Sequence, residues 1–300
     1  MVPLSTPRAL LRLAVPALSI AVLLVAPPAW AVADANLTAD PEVSRTVSLG
    51  GACERCVLSG RKLTDAMFAG ARFVQAQLSG ADLRGARILG SNFAGSDFSR
   101  ADLRGAALMG SHFGRANFTR AQLSNSDAKG SSFEGANLGE ADLTDADFSG
   151  ANLKGVRLAG ARLTKSTMHG VMFDGADAAG VDFSGAELNA AVLAGRFTRA
   201  RFVKADMTAA SLQGGDFAGA DFSKADLAAA DLRGVDLSSA RGLTQDQIDG
   251  ACTDGATRLP PGLSARGCRQ AVERVRFGLH RWPAPPKPPA APAIPVAARP

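Results

Sequence analysis

The side chains in this 300-residue chain that could do chemistry are few and scattered. Cys53 and Cys56 form a C-x-x-C near one end, and Cys252 and Cys268 lie far downstream. A C-x-x-C serves as a redox pair, as half of a zinc site or as a structural bridge. A redox pair ordinarily sits in a βαβ context that is absent here, and zinc would need further ligands that His112, His169 and His280 are badly placed to supply. Serine and aspartate are abundant, as in Ser96-Asp97, but they recur at fixed intervals and so belong to a repeat before they belong to a reaction. Catalysis needs a nucleophile, an acid or base and a concave place for substrate, and no such set converges. One cationic cluster stands out: Arg196, Arg199, Arg201 and Lys204 suit an anion or an acidic partner, unless they are a solvated charge cluster.

What must position these groups is a period of five. Between Leu58 and Leu237 a large apolar residue recurs 37 times, with a single four-residue step from Leu193 to Phe197. Eighteen of these centres are Leu and fourteen are Phe; the rest are Ile88, Met168, Met207, Ala128 and Ala178. A period of five fits neither a helix, at 3.6, nor a strand, at 2. The chain must turn every five residues, with the centre and the small residue two before it facing inward. Fixed-period units of this kind bury their apolar faces only by stacking on one another.

The outward positions agree. Eighteen of the 37 residues directly before a centre are Asp or Asn, which satisfy backbone donors at turns. Twenty-one of the 32 Gly fall two residues after a centre, where a corner demands positive φ.

The A(D/N)Lxx pattern of Ala81-Asp82-Leu83, Ala141-Asp142-Leu143 and Ala225-Asp226-Leu227 resembles the pentapeptide repeat family over 180 of the 300 residues. That resemblance implies an all-β fold, a right-handed quadrilateral β-helix with four pentapeptides per coil. Thirty-seven units make about nine coils, and at roughly 4.8 Å per coil a rod about 43 Å long. Its core would be a closed column of Leu and Phe needing no cofactor. Sorted by a period of 20, Phe73, Phe93, Phe113 and Phe133 form a ladder of stacked rings.

Such a rod holds the two cysteine pairs tens of ångströms apart, so bridges join Cys53 to Cys56 and Cys252 to Cys268, or the thiols stay free. At the far end Thr244 is the N-cap of a short helix, Gln247 its capping-box partner and Leu243 a staple against Ile248. Residues 242–282 read as this cap and a second short helix from Gln270 to Trp282, and residues 283–300 as a Pro/Ala-rich tail. At the other end Arg8 and Arg12 precede an apolar run, Leu13 to Ala26, and small residues ending at Ala31 or Ala33. Residues 1–33 thus read as a secretory signal, with an uncleaved membrane anchor as the alternative, and residues 34–52 as a linker or cap before a solenoid over residues 53–241. The expected location is the bacterial periplasm or beyond, with no integral span in the mature form.

Charge bears on partners. Residues 258–300 hold eight basic residues against one acid, while residues 34–257 hold 23 against 27. Some members of the resembled family mimic DNA and bind gyrase-type topoisomerases. That mimicry needs about one negative charge per 1.7 Å, which a mildly acidic rod does not provide. The basic end lacks the interleaved aromatics of nucleic-acid binders. The expected function is therefore a non-enzymatic, exported scaffold or protein-interaction surface in the cell envelope. The rivals are a topoisomerase inhibitor and an enzyme accessory using the basic cluster. The partner is a protein or envelope component, with a homodimer through an end or side of the solenoid also open. On the column of Phe68 and Ile88, outward Met67, Leu89 and Met109, with Ala69 and Ala107 beside them, form a candidate contact strip.

Overall fold

The computed structural model describes residues 51–268. The expected signal segment, the helix from Gln270 to Trp282 and the Pro/Ala tail lie outside the described residues.

The chain winds as a right-handed, four-sided β-helix. Each centre and the residue two before it point inward, so buried and exposed positions alternate along every side. The residue directly before a centre pairs in parallel with its counterpart one coil later, from Ala52 with Arg72 onward. Most sides are single bridges; two are long enough to be strands, β1 (Met67–Ala69) and β2 (Arg87–Leu89), which pair Phe68 with Ile88. The two residues after a centre make the corner, and the second has positive φ whether it is Gly70 or Arg100, except at Gly195 in the shortened unit and Ser239 after the last centre.

Three kinds of contact hold the coils. The first is apolar: Phe68, Phe93, Leu103, Leu108, Phe113 and Leu143 are all fully buried. The expected ring ladder is present, with Phe113 and Phe133 stacked at 4.9 Å and 22°. Two more ladders, Phe98 on Phe118 at 4.7 Å and Phe183–Phe202–Phe222, run on two other sides. Each buried Leu or Phe contributes roughly 1.5–3 kcal/mol. The second kind is the backbone ladder between coils, as in Phe93 N–H to His112 O at 2.7 Å. The third is polar and internal: Ser91 Oγ donates to Phe68 O at 2.7 Å and accepts from Ala71 N–H at 3.0 Å, and Ser111 and Ser131 repeat this one and two coils on. Buried hydroxyls need such partners.

Removing one residue from a coil ought to distort one side. It does not: bridging continues on all four, with the offset falling from 20 to 19 for four successive bridges, Asp177–Arg196 to Val192–Ser211, before returning to 20. Glycine absorbs the missing residue. At Gly195 a Cβ would stand 2.6 Å from Ala176 O, and at Gly215 it would collide with Leu193 O and the Phe217 ring. Elsewhere this inward position holds mainly Ala, Ser or Val.

At the far end α1 (Gln245–Gly250) has the anticipated capping box: Thr244 Oγ1 accepts from Gln247 N–H, and Gln247 Oε1 accepts from Thr244 N–H at 2.8 Å. Leu243 packs on the core and Ile248 is buried. Gln247 Nε2 also donates to Phe222 O and Ala225 O, tying α1 to the last full coil.

Candidate functional site

With the interior filled, chemistry is confined to the outside, where the four sides differ. Each is named by its centres and counted with the corner that follows it.

The Leu63 side is salted. Arg84 grips Asp82 through two bonds of 2.8 and 2.6 Å and Arg104 grips Asp102 the same way; these bonds hold both carboxyls below the usual range. Between residues 62 and 241 this side carries nine basic residues and seven acids.

The Phe68 side is stripped. Its corners run Ala69-Gly70, Leu89-Gly90 and Met109-Gly110 through Asn189-Ala190 to Ala228-Ala229, so the second corner position never carries more than a methyl group. The expected apolar strip lies on its first three coils: Met67 and Met109 are 38% and 39% exposed, while Leu89 is half-buried. Beyond Met109 the side turns acidic, with Asp127, Asp147, Glu187, Asp206 and Asp226 against Lys129, whereas Arg87 lies within the strip, paired with Met67. Lys129 Nζ bridges Asp127 and Asp147 at 3.1 and 2.7 Å. Further along, His169 Nε2 lies 3.0 Å from Glu187 Oε2, a contact across coils that sequence spacing alone did not suggest. Burial opposes the Asp206 charge, but bonds from Thr208 and Asn189 outweigh it and hold the carboxyl below its ordinary value. Asn189 is 8% exposed and its Oδ1 has no partner; His169 Nδ1 is likewise buried and unpartnered.

The predicted cationic cluster is divided. Arg196 pairs with Asp177 through bonds of 3.0 and 2.5 Å, and Arg201 with Asp182 at 3.1 Å, each the partner one shortened coil below. Arg196 and Arg201 occupy bridging positions on adjacent sides; Arg199 and Lys204 sit at the two following corners. Half of the cluster is thus neutralised, and it surrounds only a shallow hollow lined by Gly180, Arg196, Arg199 and Ala218.

Cys53 occupies a centre and Cys56 the inward position before Leu58, and the two are bonded across that corner with Cα atoms 5.7 Å apart. Cys252 is bonded to Cys268, Cα atoms 4.2 Å apart, at the opposite end. Among the described residues no group of three or more His, Cys, Asp or Glu could hold a metal ion. His112 lies in an open trough with Ser132, Arg115 and Glu134, several coils from His169. Among the described residues no helix is long and apolar enough to cross a membrane.

Charge within the coils is also more even than expected. Residues 51–241 hold 22 basic residues and 21 acids, so the mild acidity over residues 34–257 comes from the flanks.

A comparison with curated proteins returned no match. Among solved structures the chain is similar to HetL, a protein involved in heterocyst differentiation regulation from the cyanobacterium Nostoc sp. strain PCC 7120. The two share 29% identity over 71% of this chain and 92% of that one, with a TM-score of 0.57. It also matches full-length QnrB1, a plasmid-mediated fluoroquinolone resistance protein, at 21% identity over 76% of this chain and 100% of that one, with a TM-score of 0.40. The family model of pentapeptide repeats (eight copies) matches in overlapping stretches over residues 53–189 and again over 196–240, broken only around the shortened corner. Period, four-sided winding and family model agree: the chain belongs to the pentapeptide repeat family.

Proposed function

We propose that the protein is an exported, non-enzymatic scaffold that presents the Phe68 side to another protein of the cell envelope. The observation that carries this reading is the stripped side itself: Met67 and Met109 are exposed, Leu89 lies between them in the strip, and the second position of every corner is Gly or Ala, so a partner can approach the backbone there. The interior supports a non-catalytic role, since its centres are buried Leu and Phe. Export rests on Arg8, Arg12 and the apolar run up to the small residues at Ala31 and Ala33, and the two disulfides suit an oxidising compartment.

A DNA-mimicking role is disfavoured by the near balance of charge in the coils, far from one negative charge per about 1.7 Å. An enzyme accessory working through Arg196, Arg199, Arg201 and Lys204 would have to do so with two of the four already paired.

The test is face-specific capture. The mature protein, crosslinked in periplasmic extract, retains a partner that the Met67→Glu, Met109→Glu variant loses and the Ser59→Glu, Ala159→Glu variant, altered on the opposite side, keeps. Equal capture by both variants, or a measured catalytic turnover, overturns the reading.

A further inference from the structure

The stripped side is ordered along its length: apolar at the first coils, acidic toward the last. Glu187, Asp206 and Asp226 stack on consecutive coils just below α1. Carboxylates stacked at this spacing suit groups with several N–H donors, which is the chemistry of guanidinium.

The chain itself carries that chemistry and delivers it to this place. α1 sits where the next coil of the Phe68 side would lie, with Ala229 N–H bonded to Gly250 O at 2.7 Å. The segment after it runs back along α1: Gln245 exchanges bonds of 3.0 Å with Ser264, and Arg266 Nη1 donates to Asp249 Oδ2 at 3.0 Å. The bond from Cys268 to Cys252 then fixes the last described residue at that end. Residues 269–300 follow with six basic side chains and one acid; four of the bases, Arg269, Arg274, Arg276 and Arg281, precede the Pro/Ala stretch, which itself carries Lys287 and Arg299. That order matches the side read from α1 backward, acidic coils first and the apolar strip after. Even at a helix's rise of about 1.5 Å per residue, a segment of this length spans a rod of about 43 Å.

We propose that residues 269–300 are the resident occupant of the Phe68 side, with their arginines over Glu187, Asp206 and Asp226 and the Pro/Ala stretch toward Met109. The basic tail then competes with any partner for the side and acts as a built-in regulator of access. The proposal uses the same surface as the functional reading, yet the two fail separately.

Trp282 reports the tail. The chain has two tryptophans, Trp30 and Trp282, and the exported form, processed after Ala31 or Ala33, keeps only Trp282. Acrylamide quenching of Trp282 at low salt is expected to be about two-fold weaker than at 1 M NaCl, where the Debye length is about 3 Å. Adding Glu187→Gln, Asp206→Asn and Asp226→Asn should abolish that protection at low salt. Asn already serves at bridging positions such as Asn117 and Asn137, so the fold survives and an unchanged Tm checks it. Quenching that ignores both salt and these substitutions overturns the proposal, as does protection that appears only on raising protein concentration, which would mean a second copy. If Trp282 is free throughout while Met67→Glu, Met109→Glu still loses the partner, the tail proposal fails alone. If Trp282 is protected and capture ignores the side, the functional reading fails alone.

Discussion

The Leu63 and Phe68 sides share one backbone, one period and one core, yet they meet water differently. The first covers itself with Asp–Arg pairs inside single pentapeptides, such as Asp82 with Arg84. The second has only Gly or Ala at the second position of its corners, three apolar side chains near one end and then a run of acids. The repeat dictates the two inward positions and favours Asp or Asn before the centre, but it leaves the corners free. Difference at free positions is where a repeat protein records what it touches.

If the interior is common to both sides, equal damage should cost equally. Leu103→Ala beneath the salted side and Leu108→Ala beneath the stripped one should each lose about 2–5 kcal/mol in denaturant unfolding, with similar values. A cheap Leu108→Ala would mean that the stripped side is loosely packed. Gly215→Ala should cost about 1–3 kcal/mol by overpacking against Leu193 O and Phe217, whereas Gly150→Ala, with open space around the new methyl, should cost only the strain of positive φ, about 1 kcal/mol. Thermal unfolding of the pair separates crowding from strain.

Acid should touch both sides together. Asp82 and Asp102 are held down by their arginines and Asp206 by Thr208 and Asn189 against burial. A carboxyl depressed in the folded state stabilises above its unfolded value, near 3.9, and loses that contribution as pH falls through the folded value. Asp231, held at about 2 by Arg233, marks the lower bound. Stability measured by urea unfolding should therefore be flat above about pH 5 and fall between about pH 4 and 2. The smallest effects belong to the surface. Arg84→Ala should cost no more than about 1 kcal/mol, and Met67→Glu with Met109→Glu within about 0.5 kcal/mol, so any loss of capture by the latter is not a loss of fold.

The period made the coils, the ring ladder and the capping box of α1 legible in the sequence, because each follows from spacing alone. The cationic cluster read less well. Its neutralisation depends on partners 19 residues away, a distance set by the one-residue deletion, and a uniform period of 20 misplaces them. Gly195 and Gly215 had a visible sign, glycine where Ala, Ser or Val prevails, but its meaning required the backbone of the coil below. Leu89 was placed on the right side; that it is half-buried while Met67 and Met109 are open depends on how its own coil packs. The His169–Glu187 contact joins a corner to the bridging position of the next coil, which no single pentapeptide shows.

The central claim is that a filled interior leaves work only for the outside, and for the Phe68 side above the others. Crosslinked capture from periplasmic extract by two folded variants tests it most directly. The account predicts that Met67→Glu, Met109→Glu loses a partner that Ser59→Glu, Ala159→Glu retains; capture lost by the second variant and kept by the first would contradict it.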